Sequence, residues 1–144
     1  MNKKLIIKPD PWREMITSAE LAFPNECCGF FLGEIKDDVT TVQSVIDVIN
    51  SARTDKHLFF EISPANYMAA EGYAEQYKIS LLGIYHSHPN QSAYPSHHDL
   101  KSALPNFYYI ILGLKNQEVA EIRCWHLDEN EQFLEQQIEP LLSN

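Results

Sequence analysis

The chain has 144 residues, 44% of them hydrophobic and 22% charged, which fits one globular domain with a substantial core and excludes a disordered chain. Its formal net charge of −9 opposes binding to nucleic acid phosphates or anionic membranes, where clustered Lys and Arg supply most of the affinity. A partner with a basic docking face is the electrostatic complement.

The opening MNKKLIIKPDPW has only Leu5, Ile6 and Ile7 as an apolar run. A secretory signal needs roughly 7–15 apolar residues and a membrane span about 20, and neither occurs elsewhere in the chain. Leu5 to Ile7 reads as a short strand. Asp10 reads as a helix N-cap with Pro11 as the first helical residue. Trp12, Met15, Ile16, Ala19 and Phe23 then keep helical spacing, and the helix stops before Pro24. Cys27 to Ile35 and Val39 to Ile49 read as strands joined by the polar turn Lys36-Asp37-Asp38, and His57 to Ile62 as a further strand.

Ser63-Pro64 repeats the cap-and-proline signal and opens a helix to Tyr77, with Tyr67, Ala70, Ala74 and Tyr77 on its inner face. Ile79 to Tyr85 is an apolar run of strand length. A short helix spans Ser96 to Leu104, stopped by Pro105. Phe107 to Leu114, Val119 to Leu127 and a last segment, Phe133 to Ile138, read as strands. With no repeat or Gly/Ser linker, residues 1–144 read as one domain: an α/β fold, a mixed β-sheet flanked by helices. The three cysteines, Cys27, Cys28 and Cys124, are an odd number that implies no disulfide framework and fits a reducing cytoplasm.

Residues 86–99 read HSHPNQSAYPSHHD, four histidines and an aspartate in one stretch. His86 and His88 are two apart in extended chain, so both side chains point the same way. Pro89 ends the strand, and a helix start at Ser96 can aim Asp99 back at the two histidines. Two histidines and one carboxylate, with a fourth position left to water, is the donor set of a catalytic zinc site; structural zinc sites close with four protein ligands. Ser96-His97-His98-Asp99 is also a helix cap with an acidic residue at its third position, and His97 and His98 fall on the exposed side of that start. No H-E-x-x-H helix is present, and Cys124-Trp125-His126 offers too few donors for a second metal site, so core packing accounts for it.

The pattern His86-x-His88-Pro89, then five residues, then Pro95-Ser96-x-x-Asp99 resembles the signature of the JAMM (MPN-plus) metalloproteases. Glu26 in PNECCGFFLGE stands where that family places an upstream glutamate, and Gly83-Ile84-Tyr85 and FFEISP at 59–64 are also similar. The resemblance covers nearly the whole chain and implies the JAMM fold, layered like cytidine deaminases. It implies one Zn2+ on His86, His88 and Asp99, Glu26 as general acid/base, and Ser96 assisting at the substrate carbonyl. The chain has no room for the insertions of chain-selective deubiquitinases and looks like the minimal stand-alone prokaryotic form. The implied substrate is a ubiquitin-like or sulfur-carrier protein with a C-terminal Gly-Gly, its extended tail adding as a strand beside the active site. A non-catalytic MPN scaffold that binds such a carrier is the alternative, and no sequence feature marks an oligomer interface.

Overall fold

The computed structural model describes residues 4–143. In chain order the elements are β1 (Lys4–Ile7), α1 (Pro9–Ala22), β2 (Cys28–Lys36), β3 (Val39–Val48), α2 (Pro64–Tyr77) and β4 (Ser80–Pro89). They continue with α3 (His97–Ser102), β5 (Tyr108–Lys115), β6 (Glu118–Leu127), β7 (Phe133–Gln136) and β8 (Ile138–Pro140). The strands form one mixed sheet in the order β7-β6-β5-β4-β2-β3-β1-β8. β4 runs parallel to β5 and antiparallel to β2, so it lies at the centre.

Both faces of that centre are covered, which explains the nearly continuous apolar runs of β2, β4 and β5. Along β5, Ile110, Leu112 and Leu114 enter the core under α1, whereas Tyr109 and Ile111 enter the core under α2. Met15 and Ala19 bring α1 onto the first core; Ala70 and Ala74 bring α2 onto the second. The small alanines let α2 approach the sheet closely. Gly83 of β4 instead lets the neighbouring β5 backbone come close, since a Cβ there would stand 1.9 Å from the Tyr108 carbonyl oxygen.

Most boundaries fall within a residue or two of the sequence reading. Three expectations are corrected. First, α1 starts at Pro9 with Lys8 as N-cap and no side-chain cap, not with Asp10. The Lys8 N–H still bonds Val42 of β3, so the chain passes straight from sheet to helix, and Asp10 sits in the first turn paired with Arg13. Second, residues 57–62 form no strand. Asn50 takes their backbone groups instead: its amide donates to the Phe59 carbonyl at 2.9 Å, and its side-chain oxygen accepts from Glu61 N–H at 3.1 Å. Third, Tyr77 is 56% exposed and leans its ring on Tyr73 rather than on the sheet. The final segment splits in two: β7 pairs with β6, and β8 crosses to the other end of the sheet to pair with β1.

Candidate active site

The site forms where β4 leaves the centre of the sheet. His86 and His88 project from one face of the strand, and both are buried. The chain then loops through residues 90–95 and starts α3, which Ser96 caps in a reciprocal box. The Ser96 hydroxyl oxygen accepts from the Asp99 N–H at 3.1 Å, and Asp99 Oδ2 accepts from the Ser96 N–H at 2.9 Å. That box fixes the Asp99 carboxylate, whose side chain is only 8% exposed, against the two imidazoles.

Three ligand side chains converge. His86 Nε2 and His88 Nε2 stand 3.1 Å apart, His86 Nε2 is 3.2 Å from Asp99 Oδ1, and His88 Nε2 is 3.1 Å from Asp99 Oδ2. Ligand atoms around a tetrahedral zinc, at Zn–N distances of about 2.0–2.1 Å, stand about 3.3 Å apart. Among the described residues, His86, His88 and Asp99 form a group able to hold a metal ion.

Hydrogen-bond accounting supports the fit. His88 Nδ1 lies 2.9 Å from the Ser92 carbonyl, which only accepts, so Nδ1 carries a proton. A neutral His88 therefore points its Nε2 lone pair at both the His86 nitrogen and an Asp99 oxygen. The His88 lone pair and the Asp99 carboxylate, facing each other and His86 Nε2, require a cation or a proton between them. Burial lowers the pKa of His86 and favours its neutral form, which suits a ligand nitrogen. Burial alone would raise Asp99, but a proton or cation shared with His86 and His88, together with the Ser96 N–H, outweighs it and holds the carboxyl well below the usual carboxylate range. His86 Nδ1 is buried without a hydrogen-bond partner, and the ring is held by Phe60, stacked at 4.5 Å.

Glu26 lies just before β2, 5% exposed. Its backbone is tied down by its N–H on the Lys56 carbonyl at 2.7 Å and by the Asn50 amide on its own carbonyl at 3.2 Å. Burial pushes its carboxyl up to about 9, and the Asp99 carboxylate adds to the rise. Beside it, Cys27 N–H donates to Ser87 Oγ at 2.8 Å, tying the residue before β2 to β4 between the two histidines. Burial raises the Cys27 and Cys28 thiols to about 11 and about 12, so neither serves as a thiolate nucleophile.

The five residues singled out from sequence thus divide. His86, His88 and Asp99 come together, Glu26 is buried near Asp99, and Ser96 occupies the cap. His97 is exposed as expected, but His98 is half-buried, its ring 4.7 Å from that of Phe59. Within the sheet β4 is flanked on both sides, and the free edges belong to β7 and β8. Sequence reasoning also missed Asn50, Phe60 and the supports of the 90–95 loop. Asn50 carries a faint signal, as an Asn closing an apolar strand; the others act through distant contacts and carry none.

The family model described as "Prokaryotic homologs of the JAB domain" matches residues 9–128. The chain belongs to that family. Among JAB-type relatives, it is 26% identical over 124 residues to the CysO-cysteine peptidase of Mycobacterium tuberculosis, covering 85% of this chain and 82% of that one. It is 27% identical over 133 residues to the desampylase of Pyrococcus furiosus, covering 92% and 89%. The JAB fold is seen in a solved JAB1/MPN domain protein from Archaeoglobus fulgidus, with TM-score 0.58, 19% identity, and 95% and 96% of the two chains covered. A Desulfitobacterium hafniense protein shares it with TM-score 0.83 and 24% identity, covering 95% and 92%.

Proposed function

We propose that this JAB-family chain is a zinc-dependent peptidase or isopeptidase. It hydrolyses the amide bond after the C-terminal Gly-Gly of a ubiquitin-like or sulfur-carrier protein. The observation that carries the reading is the convergence of His86, His88 and Asp99 to within 3.2 Å, with the buried Glu26 carboxyl near enough to feel the Asp99 charge. The names of the relatives, a CysO-cysteine peptidase and a desampylase, support a carrier-type substrate.

His86, His88 and Asp99 would hold the ion, and a bound zinc lowers the pKa of its water to about 7. Glu26 handles the protons. Hydrolysis of an amide needs one proton taken from the attacking water and one delivered to the departing nitrogen, and a carboxyl held beside the site can do both in turn. Burial raises its affinity for protons, and a bound cation would draw it back toward the range in which it can both accept and donate. The Ser96 hydroxyl uses its oxygen for the Asp99 N–H and keeps its own hydrogen to donate to the substrate carbonyl oxygen. Such a donor is typically worth about 3–4 kcal/mol to the transition state.

A non-catalytic scaffold does not require the complete donor set found here. The test is cleavage of Gly-Gly carriers bearing C-terminal extensions, read by intact mass. The parent releases the extension, and Glu26→Gln does not while keeping its metal. Equal cleavage by Glu26→Gln overturns the assignment of the acid/base.

A further inference from the structure

A cavity of about 240 Å³ opens beside His86 and Asp99, on the Ile84 side of β4. Its walls are Phe60 and Ile62 from the segment before α2, Tyr67 of α2, Ile84 of β4 and Tyr109 of β5. It is smaller than the roughly 300–1,000 Å³ of pockets for drug-sized ligands, so it suits one side chain. Its polar lining comes from Glu61, Asp99, His86, His98 and Ser102, and no Lys or Arg lines it.

We propose that this cavity is the subsite for the residue on the leaving-group side of the cleaved bond, and that it selects an uncharged apolar side chain there. The inference rests on the function proposed above. Under that reading the two residues before the cleaved bond are glycines, with no side chain to place in an aromatic pocket. The third residue back is too distant: an extended chain advances about 3.3 Å per residue, whereas this cavity is bounded by His86 and Asp99 themselves. The residue following the bond is the one whose side chain reaches it.

Charge narrows the choice. An acidic side chain would enter a pocket that holds the Glu61 carboxylate and no Lys or Arg, with His98 and the ligand His86 as its imidazoles and Asp99 committed to the ion. An aliphatic or aromatic side chain within a longer extension leaves its apolar surface against Phe60, Ile62, Tyr67 and Tyr109, and its carboxyl as an amide. The substrate class is therefore a carrier whose Gly-Gly is followed by a peptide extension beginning with an apolar residue.

The test uses a panel of small Gly-Gly carrier proteins, each extended by X-Ala, with X as Leu, Phe, Ala, Glu or Lys, and by a lone cysteine. The metal-loaded enzyme should cleave Leu and Phe extensions with kcat/KM at least about tenfold above Ala, the discrimination a hydrophobic pocket affords per small group. Glu should fall below Ala. Ile62→Lys, which places a cation in the cavity wall, should shift the preference toward Glu. That inversion cannot arise from partial misfolding, which lowers all members alike. A flat profile across X, or preference for the lone cysteine, overturns the subsite while leaving the peptidase reading intact. Failure to cleave any member overturns the peptidase reading itself, and the subsite with it.

Discussion

The Trp125 indole N–H on β6 donates to the Ala93 carbonyl at 2.9 Å, and so fastens the loop between the two halves of the site. The Ala93 N–H is held as well, by Glu121 Oε1 at 2.7 Å. Ala93 is fully buried, and Gly113 of β5 makes room: a Cβ there would stand 2.8 Å from the Gln91 carbonyl oxygen. The preceding residue, Ser92, supplies the carbonyl that orients His88. Trp125 and Glu121 are therefore positioning residues for the candidate metal centre. Trp125→Phe keeps most of the ring and removes the donor. It should weaken metal affinity by about tenfold, as loss of an outer-layer partner does, with about 1 kcal/mol lost in stability. Competition against a chelator of known affinity measures the first, and urea unfolding the second. Unchanged affinity would mean the loop holds its shape without β6.

Asn50 is the second support. Its side chain bonds the Glu26 and Phe59 carbonyls and accepts from the Ala52 and Glu61 N–H groups. Asn50→Ala leaves these backbone groups to find other partners and should cost about 2–4 kcal/mol. It should also loosen Glu26 and the cavity wall together. Denaturant unfolding and turnover of a carrier extension check the two effects; stability within 0.5 kcal/mol of the parent contradicts the account.

How much of this was legible in the sequence follows from how local each feature is. The two histidines share a face because a strand alternates, and Asp99 is aimed by a four-residue cap; both are short-range geometry. Ser63-Pro64 marked α2 for the same reason: the Ser63 hydroxyl oxygen accepts from the Asn66 N–H at 3.2 Å. Residues 57–62 look like a strand because Phe59, Phe60 and Ile62 are strand-favouring. Their hydrogen bonds go to Asn50 and their rings to His86 and His98, neighbours that only the folded chain supplies. The pairing of β8 with β1 likewise joins the two ends of the chain, and no local pattern encodes it.

The Glu26 carboxyl gives a pH-dependent prediction for the metal-free protein. Its folded pKa of about 9 exceeds the ordinary value of 4.5, so the folded state keeps a proton that the unfolded state releases. Stability from this group is fully present below pH about 4.5 and falls as pH rises toward 9. At pH 7 the loss is on the order of 3 kcal/mol. Glu26→Gln should recover most of it in the metal-free protein, and its advantage over the parent should grow with pH. Thermal unfolding from pH 5 to pH 8 in a chelator tests this. An advantage that is absent, or constant across the range, contradicts a protonated Glu26. A bound divalent cation should draw the carboxyl back down and shrink the difference.

Lys78 offers a check on the fold that leaves the site alone. It ends α2 in the left-handed region, at φ 55°, with its N–H bonded to Ala74 and Glu75 carbonyls. Glycine adopts that conformation without the Cβ clash. Lys78→Gly should raise stability by about 0.5–1 kcal/mol, read as a higher urea midpoint at unchanged slope. A lower midpoint contradicts the assigned cap.

The most direct measurement is the metal-to-protein ratio of carefully prepared native material by elemental analysis, for the parent, His88→Ala and Glu26→Gln. The account predicts one transition-metal ion per chain in the parent and in Glu26→Gln, and none in His88→Ala. A parent that neither contains nor takes up a metal, or a His88→Ala protein that still binds one per chain, contradicts it.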